Sequence, residues 1–438
     1  MEPDLKPVST ASSGRYAWWV VFMLWGVCFF NYADRQAISA VSKPLQQEFG
    51  FSDTELGWIG SAFMWVYAAG APFAGFICDR FRRKDLILGG CLFWSFVTIT
   101  TGWCSRLWHF VGVRALEGLG ETFYFPASMA LVSDYHSPRT RSRAMSFHQS
   151  SVYLGTILGS WLGAWFAIHH GWRMGFYFFG GFGFILGLVL YRFLREPIRG
   201  SSELAAPLVQ ETWSRAVLTA VKDVFRTRTA PMLMLVFAGA NAVAGVFLFW
   251  TPKFLADKFQ MQLTVAGFSG TAFINLASAL SVPLAGIAAD RLAQRRKGGR
   301  ILIQSLGLIG GAGLISTVGL TQDKAILIAA MIGFGLFKGF YDAGIFASIY
   351  DVVHPRSRAT AAGLMNTIGW SGGALGTLVA GWYSDHGGYG SKIANMSHYI
   401  SWGGGVYLVG GVLLLLVGLN WANRDVRHSG WETATGIH

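Results

Sequence analysis

Apolar runs bounded by short polar clusters recur along the whole chain, at 16–39, 54–78, 86–104, 107–134, 144–168, 173–193, 230–256, 264–289, 301–320, 325–352, 359–384 and 398–421. A hydrocarbon core about 30 Å thick is crossed by about 20 helical residues. Lipid offers no partner to a backbone polar group, so each run reads as a helix that satisfies its own. The pattern predicts an all-α integral membrane protein of twelve spans, six on either side of a polar stretch at 194–229. That stretch contains Pro197, Gly200, Ser201 and Ser202, and its segment from Glu211 to Phe225 reads as a short surface helix. The first span, from Tyr16 past Asn31, is too long for a secretory signal and lacks a small-residue cleavage site, so it is expected to stay in the protein.

The second six spans repeat the first. Gly75-Phe-Ile-Cys-Asp79-Arg80-Phe-Arg82-Arg83-Lys84 returns 211 residues later as Gly286-Ile-Ala-Ala-Asp290-Arg291, with Arg295, Arg296 and Lys297 trailing. Asp134-Tyr-His-Ser-Pro138-Arg139-Thr-Arg141 is echoed at an offset of 217 by Asp351-Val-Val-His-Pro355-Arg356-Ser-Arg358, so a few residues were inserted between the two signatures. The expected organisation is an N-terminal six-helix bundle (1–193), a linker (194–229), a pseudo-symmetric C-terminal six-helix bundle (230–421) and a tail (422–438). Repeated sets of membrane helices are a transporter architecture.

Composition agrees with the bilayer as solvent: 53% of residues are hydrophobic, 13% are charged, and the mean hydropathy is +0.42. Charge then orients the spans. With the N terminus in the cytoplasm, 25 of the 35 Lys and Arg fall on the cytoplasmic side and seven on the other. The positive-inside rule therefore puts both termini and the linker in the cytoplasm, with a plasma (inner) membrane as the expected home. The net charge of +12 follows from that topology and does not argue for nucleic-acid binding. Cys28, Cys78, Cys91 and Cys104 lie in or beside apolar runs without metal-site or disulfide spacing, so they read as packing residues. No metal or cofactor is expected.

The three remaining cations, Arg35, Arg114 and Lys338, lie inside the expected spans. An ionised group there costs roughly 2.5–3.5 kcal/mol on insertion scales and tends to face a partner or a water-filled cavity. Span 1 carries Asn31-Tyr32-Ala33-Asp34-Arg35, span 4 carries Arg114, Glu117 and Glu121, and span 10 carries Lys338 and Asp342. Arg114 and Glu121 are almost two turns apart and share a face, with Glu117 slightly off it. The plain structural reading pairs Asp34 with Arg114, Glu117 with its neighbour, and Lys338 with Asp342. Apolar replacements of buried ion pairs are often neutral or stabilising, so stability alone explains so large a set poorly. A cation that holds an anion and a carboxylate that carries a proton explain it better.

The duplicated Gly-x-x-x-Asp-Arg signature with trailing cations, the two six-helix halves and the basic linker resemble the major facilitator superfamily over essentially the whole chain. The resemblance implies a cytoplasmic gate of Asp79, Arg80 and Arg83 with Asp134, and a second-half counterpart of Asp290, Arg291 and Asp351. Gly75 and Gly286 would let helices approach closely there. Guanidinium–carboxylate bonds would break and reform as the halves move. The plain reading of these arginines is topology charge. Within the superfamily, Asn31-Tyr32-Ala33-Asp34-Arg35, Tyr67, Arg114-x-x-Glu117-Gly-x-Gly-Glu121, Gly171-Trp172-Arg173 and Gly363-Leu-Met-Asn366 resemble the anion:cation symporter family, which includes sugar-acid permeases and sialin-like carriers. That resemblance implies Arg35 and Arg114 as anion-binding residues, Tyr67 and Asn366 as hydrogen-bonding ones, and Asp34 and Glu121 as proton-coupling carboxylates. Gln149 on span 5 is a further candidate, with helix-to-helix hydrogen bonding as its plain reading. Lys338 and Asp342 depart from the family pattern. By the 217 offset Lys338 stands where Glu121 stands in the first half, and the pair either widens the site to a larger or doubly charged anion or locks the second half.

Asn-Tyr-x-Asp-Arg and the span 4 charges also resemble the spinster family of lysolipid and sphingolipid transporters. That alternative needs an acyl path, for which Phe247, Phe249 and Trp250 on span 7 and Phe334, Phe337 and Phe340 on span 10 are candidates, with ordinary packing as their plain reading. An intramembrane aspartyl protease needs two facing aspartates. The nearest approach to its Gly-x-Gly-Asp signature is Gly118-Leu-Gly120-Glu121, a glutamate, so no catalytic residues are assigned. No phosphate-binding Gly-rich Lys loop is present, which points away from ATP and toward an ion gradient. The expectation is a proton-coupled symporter of small organic anions such as sugar acids, monomeric and working by alternating access.

Overall fold

The computed structural model describes residues 14–197, 221–222, 224–354, 357–422 and 424–425. Most of the linker, including most of its expected surface helix, and most of the C-terminal tail lie outside the described residues, as do Arg356 and the surroundings of Gly75 and the Asp79 and Arg139 side chains. Among the described residues the chain is all-α and forms twelve spans. Span 1 is Gly14–Ala40, followed by a short helix Ser42–Phe49. Spans 2 and 3 are Asp53–Arg80 and Arg83–Thr101. Span 4 is broken into Leu107–Glu121 and Tyr124–Tyr135. Spans 5 to 9 are Pro138–His169, Trp172–Phe193, Thr229–Lys258, Leu263–Arg295 and Gly299–Leu320. Span 10 is broken like span 4, into Lys324–Asp342 and Ile345–Val352. Spans 11 and 12 are Arg358–His386 and Lys392–Asn420.

Local chemistry sets several of these ends. Ser52 and Glu55 form a reciprocal capping box at the start of span 2. Asp323 caps span 10 through the Ala325 and Ile326 amides, and Ser391 caps span 12 through that of Ala394. By length and composition, eight of the spans are apolar enough to cross a membrane unaided. The others, 53–80, 83–101, 107–135 and 358–386, carry the small, polar or charged residues that the interior uses. Spans 5 and 8 begin or end about six residues beyond their apolar runs, because basic segments continue the helix past the hydrocarbon, where the helix satisfies its own backbone.

Span 1 packs along span 5 through Gly155, Gly159 and Gly163. A Cβ at Gly155 would collide with the Phe29 carbonyl, one at Gly159 with the Ala33 backbone, and one at Gly163 would press on Ala37. The four-residue glycine spacing is thus a helix-packing face. It seats the backbone immediately before Asp34 and Arg35.

The two halves meet along three pairs of spans: 2 with 11, 5 with 8, and 1 with 7. Their polar contacts gather at the end of the bundle opposite the chain termini. Lys253 bridges Asp53 at 3.1 Å and Asp257 at 3.0 Å, and Lys43 reaches Asp257 at 2.8 Å. Asp385 accepts from the Thr54 amide and hydroxyl, both at 2.7 Å, while Ser384 donates to Asp53 at 2.6 Å. Gly57 and Gly60 bring span 2 against Leu378 and the Phe249 ring. At the other end the fit is looser: a Cβ on Gly363 would only just reach Pro72, and one on Gly286 would meet nothing within 4 Å. The close approach expected at Gly286 is therefore not made in this arrangement, in which the halves are clasped at the opposite end.

Candidate functional site

Spans 1, 3 and 4 bring the intramembrane charges of the first half into one buried cluster. Arg35 Nε donates to Glu121 Oε2 at 3.1 Å, its Nη2 reaches the same oxygen, and Nη2 also donates to Asn31 Oδ1 at 3.3 Å. Arg114 forms an ion pair with Glu117 one turn along span 4. Asp34 is not the partner of Arg114 that the plain reading supposed. It accepts from the Arg35 amide at 2.6 Å and from the Thr98 hydroxyl at 3.2 Å. Thr98 also stands 3.4 Å from Glu117 Oε1, so one hydroxyl touches two carboxyls. Asp34, Arg114, Glu117 and Glu121 are at most 3% exposed. Two guanidiniums and three carboxyls balance electrically when one carboxyl carries a proton. Asn31 Nδ2, Arg114 Nε and Glu121 Oε1 are buried without a hydrogen-bond partner. They are two donors and an acceptor of the kind an anionic polyol or water would satisfy.

Aromatic rings frame the cations. The Arg35 guanidinium carbon lies 4.4 Å from the Tyr32 and Phe63 ring centroids, 5.6 Å from Trp370 and 5.8 Å from Tyr67. Phe63 also lies 5.1 Å from the Arg114 carbon, so one ring serves both guanidiniums. Tyr67 packs on Trp370 at 4.6 Å, which joins the first half to span 11. Asn366 lies one turn before Trp370 and is half-buried, as is Gln149 on span 5. Phe63, Thr98 and Trp370 escaped the sequence reading because a Phe, Thr or Trp inside an apolar run looks like packing.

Lys338 and Asp342 form an ion pair with each other, as the plain reading had it. Their side chains are 23% and 27% exposed in mid-span, and Tyr153 of the first half lies within electrostatic reach of both. Phe247, Phe249, Trp250 and Phe334 are at most 5% exposed, and Phe334 packs on Phe247 at 5.1 Å and on Tyr407 at 5.5 Å. Most of the candidate acyl-path aromatics are thus core of the second half, and only Phe337 and Phe340 are half-buried.

At the end near the termini, Arg83 forms an ion pair with Asp134 and donates to the Ala130 carbonyl at 3.3 Å. Glu196, which the sequence reading overlooked, accepts from the Arg83 and Lys84 amides at 2.9 and 2.7 Å. A carboxylate at a helix N-terminus is favoured by the helix dipole. In the second half, Arg300 bridges Asp351 at 2.6 Å and Asp290 at 2.9 Å, whereas Arg291 is exposed, as is Arg80 in the first half. Arg300 stands 217 residues after Arg83, so the second offset carried the signal for it. The Gly171-Trp172-Arg173 segment works at the far end. Trp172 Nε1 donates to Glu48 Oε2 and Arg173 Nη2 to Oε1, both at 2.6 Å. The Arg173 hydrogen bond holds the Glu48 carboxyl below its usual range.

A clasped pair of six-helix bundles around a buried charged cluster defines a multi-pass membrane transporter. The chain belongs to the Major Facilitator Superfamily, whose family model matches residues 24–377 and 276–435; its relatives are transporters, and it is not an enzyme. It is 29% identical over 440 residues to the D-galactonate transporter of Escherichia coli O6:H1, covering 94% of this chain and 98% of that one. It is 25% identical to a probable galactarate/D-glucarate transporter of Escherichia coli K12, covering 86% and 88%. A bacterial homolog of the human lysosomal transporter spinster, solved inward-facing and unoccupied, shares the fold with a TM-score of 0.80 at 18% identity, covering 94% of this chain and 99% of that one.

Proposed function

We propose that the chain is a proton-coupled symporter of small organic anions, sugar acids foremost, that works by alternating access. The carrying observation is the buried cluster itself. Two guanidiniums suit a carboxylate, unsatisfied polar atoms beside them suit hydroxyls, and a surplus carboxyl suits a proton. The sugar-acid transporters among its relatives support the same substrate class. Arg35 and Arg114 hold the anion, Tyr67, Asn366 and Gln149 hydrogen-bond it, and Asp34 and Glu121 carry protons. The halves 1–193 and 230–421 rock about the site. The Arg83–Asp134 and Arg300–Asp290–Asp351 groups brace the cytoplasmic ends, with the exposed Arg80 and Arg291 completing the charge there. Both termini are cytoplasmic, the host is the inner membrane, the unit is a monomer, and the described arrangement is inward-facing.

The test is uptake into proteoliposomes of labelled D-galactonate, galactarate and a lysophospholipid under an inward proton gradient. Accumulation of a sugar acid that collapses with a protonophore is expected, and Arg35→Ala should eliminate it. Transport of the lysolipid alone would replace this reading with the spinster one, which the burial of Phe247, Phe249, Trp250 and Phe334 disfavours.

A further inference from the structure

Glu117 and Thr98 belong to the buried cluster, yet neither anion binding nor the Asp34 and Glu121 carboxyls give them a task. Glu117 lies about 6 Å along the helix from Glu121, one turn toward the clasped end. Its Oε2 is held by Arg114, and its Oε1 faces the Thr98 hydroxyl at 3.4 Å. The same hydroxyl faces Asp34 Oδ2 at 3.2 Å and the Trp94 carbonyl at 2.9 Å. A helical threonine satisfies itself on the carbonyl one turn back. Packing therefore gives no reason to set a carboxyl on each side of it. A hydroxyl has one donor and two acceptor sites, so it can take a proton from one neighbour while passing its own to another.

We propose that Thr98 hands protons between Glu117 and Asp34, which makes Glu117 the port through which a proton reaches the substrate cluster. This rests on the symport reading above. Protonated Glu117 donates from Oε1 to Thr98 Oγ, and the original Thr98 proton, turned away from the Trp94 carbonyl, passes to Asp34 Oδ2. Glu117 is left as a carboxylate beside Arg114, Asp34 as a neutral acid, and Thr98 as the same hydroxyl it was. Charge favours this direction: the proton leaves the carboxyl that has a guanidinium partner and neutralises the one bonded only to an amide and a hydroxyl.

The experiment compares gradient-driven accumulation with counterflow, which needs no net proton movement, using whichever of D-galactonate and galactarate the wild type accumulates more. Thr98→Val keeps the shape and removes the hydroxyl. It should lower accumulation by about tenfold or more relative to its effect on counterflow. Thr98→Ser should restore coupling, and Glu117→Gln should show the same split as Thr98→Val. Accumulation by Thr98→Val at the wild-type level would overturn the relay, and so would equal loss of both activities, which would make Thr98 a packing residue. Wild-type protein measured first with and without protonophore separates the two claims, since uptake indifferent to the gradient removes the symport reading itself.

Discussion

Arg35 spends its guanidinium on three kinds of neighbour at once: a carboxylate, an amide oxygen and the faces of aromatic rings. A lysine has a compact, strongly hydrated charge and no planar fork, so it cannot reproduce that set. Arg35→Lys is expected to lower sugar-acid uptake about a hundredfold, a misplacement-sized effect, and initial rates in proteoliposomes check it. Glu121→Gln removes a proton site but keeps a hydrogen-bond acceptor for Arg35. It should lose gradient-driven accumulation and keep exchange, and full concentrative uptake by that variant would refute its coupling role. Asp34, Arg35, Arg114 and Glu121 were legible in the sequence because a charge inside an apolar run has few inexpensive explanations. Thr98, Phe63 and Trp370 were not, because their contribution depends on which helices adjoin.

At the scale of elements, the glycine face of span 5 sets the position of the charged turn of span 1. Gly159→Val would press its branched side chain into the Ala33 backbone, an overpacking cost of about 1–3 kcal/mol that shifts Asp34 and Arg35 with it. Transport should fall sharply, whereas Gly181→Ala, where a Cβ meets nothing within 4 Å, should transport normally. Parallel uptake and thermal-unfolding measurements separate lost geometry from lost fold. The Glu48–Arg173 tie has a pH window of its own. Because its folded carboxyl value is lowered, the stabilisation is present above the ordinary carboxylate range and is lost as pH falls through the lowered value. Apolar runs announced the helices, and the four-residue spacing of Gly155, Gly159 and Gly163 is itself a sequence signal for a packing face. Pro126 marks the break after Glu121, because its nitrogen cannot donate to the Thr122 carbonyl, whereas the break after Asp342 was hidden, with no proline beside it. Arg300 was recoverable only by carrying the second repeat offset past the inserted residues.

For the whole molecule, the Arg83–Asp134 and Arg300–Asp351 pairs near the termini each lie within one half, while the Lys253–Asp53 and Lys43–Asp257 pairs at the opposite end join the halves. The first kind ties spans together within a bundle, and under the proposed alternating access the second must be broken for the protein to open at that end. Lys253→Met leaves the Asp53 carboxylate, which is 1% exposed, without its cation, a loss of about 3–5 kcal/mol from the clasped arrangement. A Met396→Cys reporter, buried at 5% exposure in the small cavity lined by Asp53, Lys253 and Asp257, should then react faster with an impermeant maleimide. Unchanged labelling would show that the pair does not hold the halves together. The clasp also bears on how the protein meets its substrate. In the proposed orientation the clasp faces the outside, so the empty protein presents a competent binding site to external solute for only a fraction of the time. Its apparent external affinity is weaker than its intrinsic one by that fraction. A variant with a loosened clasp should therefore saturate at lower external concentration, gaining scavenging power while losing some of the tight closure that keeps captured solute from leaking back.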